Sequence, residues 1–117
     1  MNEGRTLIAL AILGLAFLWV LWAFYVLIMG LYRAHLAGRL TWIHYALSLP
    51  FLVVGFAVDV LVNLLIASVI FLELPSELLL TKRLQRHLGS TSWRGRLAKW
   101  ICAQLLDVFD PTGAHCD

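Results

Sequence analysis

The sequence predicts an all-α membrane protein, in which a hairpin of two transmembrane helices is followed by a pair of amphipathic cytoplasmic helices. The chain is 62% hydrophobic and only 14% charged, whereas a soluble domain has about 45–50% apolar and about 25% charged residues. Two apolar runs are each long enough to cross a hydrocarbon core of about 30 Å. A soluble core of this size could not bury so much apolar surface, so the excess predicts contact with lipid.

The pattern divides the chain into five segments. The first apolar run is too long for the core of a signal peptide, so we interpret it as a retained span. In the connection, basic and aromatic residues predict a short interfacial helix over about 40–47, and Ser48 and Pro50 open the second span. The predicted segments are a polar lead (1–6), transmembrane helix 1 (7–32), the basic and aromatic connection (33–48), transmembrane helix 2 (49–72) and a basic amphipathic tail (73–117).

The second span carries a row of small and polar residues. Gly55, Asp59, Asn63 and Ala67 recur every four residues and therefore share one face of a helix. An aspartate at the middle of a bilayer costs roughly 2.5–3.5 kcal/mol, so this face should avoid lipid, and its small residues would let another helix approach. We predict that the row is a helix–helix interface. The first span offers few polar partners, which favours a second copy or another membrane protein as the neighbour. A latch within the chain and a polar seam in a pore remain alternatives.

The tail predicts two further helices. One covers about 76–88 with Ser76 as its N-cap, and the other covers about 93–109 with Ser92 as its N-cap. Basic amphipathic helices with tryptophan commonly lie on anionic membrane surfaces, although the same face could dock on the chain itself or on a partner. The residues predicted to lie at the membrane surface are Lys82, Arg83, Arg86, Trp93, Arg94, Arg96, Lys99 and Trp100.

The distribution of basic residues predicts the orientation. Cytoplasmic segments carry the excess of Lys and Arg, and the tail has more of them than the connection, so both termini are expected inside a bacterial inner membrane. Cys102 and Cys116 would then be reduced thiols, and the last residues, 114–117, would be frayed.

No motif predicts chemistry or a cofactor. The chain has no Cys-x-x-Cys, and the spacing of His87, Cys102, His115 and Cys116 matches no compact metal site. No nucleophile–base arrangement or phosphate-binding loop is evident, so we expect no enzyme and no small-molecule substrate. The tryptophans and leucines of the basic tail favour lipid over nucleic acid. The expected partners are the lipid bilayer and either further copies of the chain or another membrane protein.

The C-terminal segment has a recognisable pattern. Residues 93–102, Trp-Arg-Gly-Arg-Leu-Ala-Lys-Trp-Ile-Cys, and 105–116, Leu-Leu-Asp-Val-Phe-Asp-Pro-Thr-Gly-Ala-His-Cys, resemble the end of small inner-membrane proteins encoded by tailed bacteriophages and prophages. The two-span layout resembles phage holins in architecture only. The resemblance implies a protein that acts by helix association, as a holin-like oligomer or pore. The alternative is an adaptor or exclusion-type protein that binds a host or phage membrane partner through the second span and the tail.

Overall fold

The computed structural model describes residues 2–116, and all regular secondary structure in that range is helical. The predicted all-helical class is therefore confirmed. Helix α1 covers Asn2–Leu36. Helix α2 covers Trp42–Leu61 and continues through a π-helical segment, Val62–Ala67, to a last turn at Ser68–Ile70. Helix α3 covers Leu80–Leu88, and helix α4 covers Trp93–Ile101 and continues as a π-helical segment, Cys102–Leu106.

Helices α1 and α2 form an antiparallel hairpin. Both are long and apolar enough to cross a membrane, by length and composition alone. Gly38 has a φ of 68° in the connecting turn, a conformation that glycine adopts without steric cost. A hydrogen bond of 2.7 Å joins His35 Nδ1 and the Tyr45 hydroxyl beside this turn. Phe24 stacks on Phe51 further along the hairpin, with ring centroids 4.7 Å apart.

The second long helix begins earlier than the sequence suggested. The predicted interfacial helix over 40–47 is the first part of α2, and Pro50 lies inside the helix rather than in its first turn. Thr41 is the N-cap residue, and its backbone N–H donates to His44 Nδ1 at 3.0 Å. The Ser48 hydroxyl donates to the Tyr45 carbonyl instead of capping a helix. A reciprocal cap at Thr41 and His44 therefore sets the start of α2.

Residues after Ile70 fold back onto the hairpin. The chain turns at Leu72, which has a φ of 50°, and α3 and α4 then pack together against the π-helical part of α2. Gly95 permits the close approach of α4 to the end of α3, because a Cβ there would lie 2.0 Å from the Ser90 carbonyl oxygen. The buried core of this region consists of Ala67, Phe71, Leu84, Ala98, Cys102 and Cys116.

The same segment contacts the middle and the end of α1. Trp22 Nε1 donates to the Leu105 carbonyl at 3.0 Å, and the Tyr25 hydroxyl donates to the Leu106 carbonyl. Nearer the end of α1, the Arg33 guanidinium donates to the Phe109 carbonyl at 2.9 Å. The segment after α2 therefore packs along the hairpin and is not a separate appendage.

The structure corrects two predictions about the C-terminus. Cys102 and Cys116 are joined by a disulfide, so the expectation of reduced thiols is wrong. The segment 114–116 is held in place, since the His115 backbone N–H donates to Asp107 Oδ1 at 2.9 Å and Cys116 is buried. The sequence could not show this, because the redox state was inferred from a predicted compartment and not from proximity of the two thiols.

Candidate functional site

The polar row on α2 begins at a contact with α1. A Cβ on Gly55 would lie 3.1 Å from Phe24 Cδ1 and 3.2 Å from Ile28 Cδ1. These distances leave almost no room for a side chain, so Gly55 lets the two long helices approach closely. This predicted interface residue lies between two helices of the same chain.

Asp59 lies against the start of α3. Its Oδ1 atom accepts a hydrogen bond from the backbone N–H of Leu80 at 3.0 Å. The first N–H groups of a helix have no partner within the helix, and the helix dipole favours a negative charge there. Asp59 therefore supplies from α2 the cap that the sequence predicts at Ser76. The helix begins at Leu80 and not near 76, which corrects that prediction.

Asn63 and Ala67 are covered by the returning chain as well. Asn63 is fully buried, and its Nδ2 donates to the Glu77 carbonyl. Ala67 is buried in the core with Phe71 and Leu84. The sequence favoured another polypeptide as the neighbour of this row. In the structure, the neighbour is a later segment of the same chain. The chain reverses at Leu72, directly after the span.

Arg83 does not lie at the surface. Its side chain is fully buried, Nη2 donates to the Ser68 hydroxyl at 3.1 Å, and Nε lies 4.0 Å from Glu73 Oε1. Its Nε and Nη1 atoms have no hydrogen-bond partner among residues 2–116. The prediction that Arg83 contacts the membrane surface is therefore wrong, because residues 84 and 87 on the same helix also face the core and carry Arg83 inward with them.

A charged cluster joins the turn after α2 to α3. Glu73 accepts hydrogen bonds of 2.7 Å from Arg86 Nη2 and from the His87 ring, and Arg86 also pairs with Glu77. Burial raises the pKa of Glu73, but the hydrogen bonds from His87 and Arg86 outweigh it and hold that pKa below its ordinary value. The hydrogen bond from Arg86 likewise lowers the pKa of Glu77. The His87 ring also stacks on the Phe71 ring, with ring centroids 5.1 Å apart. The cluster therefore fixes α3 to the end of α2.

The remaining basic and aromatic residues differ in what they contact. Arg94 Nε donates to the Phe71 carbonyl at 2.7 Å and Nη2 to the Leu72 carbonyl at 3.2 Å, so this side chain satisfies carbonyl groups at the end of α2. Trp93 and Trp100 are 39% and 56% exposed. Of the residues predicted at the membrane surface, those with an exposed charge outside the Glu73 cluster are Lys82, Arg96 and Lys99.

The C-terminal loop contains a chain of polar contacts. His115 Nδ1 lies 3.0 Å from Asp110 Oδ2, and His115 Nε2 lies 3.2 Å from the Thr81 hydroxyl. Burial raises the pKa of Asp110, whereas hydrogen bonds from Thr112 and His115 lower it by more. This carboxylate–imidazole–hydroxyl order resembles a nucleophile relay. However, the Asp59 carboxylate occupies the helix N-terminus beside Thr81, where an oxyanion would need donors. We assign the contacts to holding the loop.

A cavity of about 650 Å³ lies between the hairpin and the C-terminal segment. Its wall is mostly apolar side chains of α1, α2 and α4, with Asp59, Lys82 and His115 among the polar lining residues. Within residues 2–116, no group of three or more His, Cys, Asp and Glu side chains is placed to hold a metal ion.

Comparison with known proteins adds no assignment. No protein-family model, no curated protein and no solved structure matches this chain.

Proposed function

We propose that this chain is a phage-type integral protein of the bacterial inner membrane that acts as an adaptor, binding another membrane protein rather than catalysing a reaction. The length and hydropathy of α1 and α2 support membrane insertion. Helix α1 has no buried residue along its 35 residues, so most of its apolar surface requires lipid or a partner. Transmembrane helices associate through packing of such surfaces.

The observation that carries this proposal is the engagement of Asp59 and Asn63 by residues 77–80 of the same chain. A pore that used these two residues as a water-lined seam would first have to displace that segment. One apolar surface open to a partner is the first half of α1, where Leu7 and Leu15 are each 67% exposed. This geometry favours the adaptor over the holin-like oligomer, which stays an alternative hypothesis.

The Cys102–Cys116 disulfide helps to decide on which side of the membrane the C-terminal segment lies. Disulfides persist in the periplasm and are rare in the cytosol, whereas the excess of basic residues in the tail favours a cytoplasmic location. Arg83, Arg86 and Arg94 have acceptors within the folded chain. We propose that the closed Cys102–Cys116 bond reflects a periplasmic C-terminal segment, with both termini outside, in contrast to the orientation that the charge count predicts.

Expression of the chain alone in bacteria tests the adaptor. A photoreactive residue in place of Leu15 should capture a discrete membrane protein other than the chain itself. The same residue in place of Val53, which is 60% exposed on α2, serves as the matched control. Membrane depolarisation and dye leakage should be absent. Rapid leakage that is lost in the Asp59→Leu variant would contradict the adaptor and support the pore.

A further inference from the structure

The segment that follows α2 lies beside the middle of the hairpin. Asp59 is in the central part of the second apolar helix, Trp42–Ile70, roughly 16 Å from its nearer end at 1.5 Å per residue. The Leu80 backbone N–H donates to this carboxylate at 3.0 Å. Toward the turn of the hairpin, Arg33 donates to the Phe109 carbonyl. A hairpin that crosses a bilayer therefore carries this segment with it to the depth of the hydrocarbon.

The connection between α2 and α3 has the contacts that such a re-entrant segment requires. Residues 73–79 are not helical, and irregular backbone at membrane depth is tolerated only where protein satisfies its polar groups. Asn63 Nδ2 donates to the Glu77 carbonyl, and Asp59 accepts from the Leu80 N–H. The two polar residues of the row on α2 thus bond the backbone that lipid could not.

Lys82 lies at the same depth with an exposed side chain. It lines the cavity that Gly55, Phe56 and Asp59 also line, and it forms no ion pair among residues 2–116. A lysine at the centre of a spanning helix costs roughly 2.5–3.5 kcal/mol, and the headgroups begin about 15 Å from the bilayer centre. The ammonium group therefore requires a carboxylate that approaches within the hydrocarbon.

A second copy of the chain offers no free carboxylate at this depth. Glu3 lies in the first turn of α1, at the end of the hairpin. The other acids among residues 2–116 have partners within the chain, which are Leu80 for Asp59, Arg86 for Glu73 and Glu77, and His115 for Asp107 and Asp110. The acid that faces Lys82 therefore comes from a different protein.

We propose that the partner of this adaptor is a membrane protein with an Asp or Glu in the middle of a spanning helix, and that this carboxylate pairs with Lys82. The assignment rests on the proposed adaptor function and deepens it by naming the chemistry of the partner. Acids inside membranes are rare and pair with basic groups on neighbouring helices. One such pair selects among spanning helices and fixes the depth at which the partner binds, because charge pairs set specificity and register.

A synthetic spanning helix of about 20 leucine and alanine residues tests the pairing, with one central glutamate or, as the control peptide, one central glutamine. Energy transfer from the labelled chain, in phosphatidylcholine vesicles at alkaline pH, should be several-fold greater to the glutamate peptide. Lys82→Gln should abolish this preference. Arg5→Gln, which removes a basic charge near the start of α1, should retain it. Lys82→Glu should instead prefer a peptide with a central lysine.

Separate measurements distinguish this pairing from the adaptor itself. Resistance to alkaline carbonate extraction reports insertion, and photocapture from position 15 reports the partner surface on α1. A chain that passes both tests but binds the two peptides equally overturns the pairing alone, whereas a chain that carbonate extracts overturns the function on which the pairing rests. Circular dichroism and a closed disulfide establish that each variant is folded. A preference for glutamate that persists in Lys82→Gln would also overturn the assignment.

Discussion

The carboxylate of Asp59 caps the N-terminus of α3 by accepting a hydrogen bond from the Leu80 backbone N–H at 3.0 Å. The two residues are 21 positions apart and belong to different helices. An ionisable group in an apolar span needs a partner that compensates for lost solvation. The free N–H groups of a helix start provide one. This one contact therefore gives the Asp59 carboxylate of α2 a hydrogen-bond donor and caps the N-terminus of α3.

Removing the carboxylate should weaken the packing of α3 on α2. The Asp59→Leu variant should destabilise the packing of the C-terminal segment by about 1.5–3 kcal/mol, the range for hydrogen bonds to charged groups. Limited proteolysis between residues 72 and 79 in detergent should become faster. The Glu3→Gln variant, which alters an exposed acid in the first turn of α1, should be cleaved at the parental rate. Unchanged cleavage in Asp59→Leu would show that the cap contributes no stability.

Space at Gly55 should limit the contact between α1 and α2. The Gly55→Leu variant forces a side chain against Phe24 and Ile28, and overpacking of this kind typically costs about 1–3 kcal/mol. Thermal unfolding in detergent, followed by circular dichroism, should shift to lower temperature. Gly14→Leu is the matched control, because a Cβ at Gly14 meets nothing within 4 Å. Similar melting of the two variants would argue against close approach at Gly55.

Acid should loosen the turn that follows α2. The pKa values of Glu73 and Glu77 lie below their ordinary value of 4.5 in the folded chain. The stability that these carboxylates contribute is therefore complete above about pH 4.5 and is lost as the pH falls through the folded pKa values. Fluorescence of Trp93, in variants with the other tryptophans replaced by phenylalanine, should change below that pH. Glu73→Gln combined with Glu77→Gln should flatten the change, and an identical acid transition in this double variant would contradict the assignment.

The disulfide should be closed in cells and should hold the C-terminal loop. Cys102 and Cys116 are 14 residues apart, and a bond closing a loop of about that size stabilises a fold by about 3 kcal/mol. The Cys116→Ser variant should expose the loop to carboxypeptidase. An alkaline phosphatase fusion at the C-terminus should be active, as expected for a periplasmic end. An inactive fusion, together with free thiols that react with maleimide, would contradict both the closed disulfide and the periplasmic orientation.

The sequence predicted which segments are helical better than it predicted where each helix begins and what it contacts. Apolar runs and basic periodicity were sufficient for the all-helical class, and four-residue spacing identified the face of α2 on which Gly55, Asn63 and Ala67 are buried. The start of α2 was missed because the helix is capped at Thr41 and His44, whereas Ser48 and Pro50 had been taken as its start. The start of α3 was predicted near Ser76 and lies at Leu80. It was missed because the cap comes from Asp59, which is remote in sequence.

Burial of charge was harder to predict from the sequence. Arg83 and Arg86 have the same charge and lie on the same helix, yet Arg83 is fully buried and Arg86 is exposed. Periodicity identifies a basic face but not which arginine turns inward toward Ser68. That choice depends on how the chain reverses after Ile70, and the reversal itself depends on contacts made by Asp59 and Asn63.

The central claim is that the polar row of α2 is covered by residues 77–80 of the same chain. A photoreactive residue at Leu79, in membranes containing equal amounts of isotopically heavy and light chains, tests it most directly. Mass spectrometry should find crosslinks between position 79 and the peptide carrying Asp59 and Asn63, with both ends heavy or both ends light. Crosslinks that join a heavy end to a light end would show that another copy covers the row and would contradict the account.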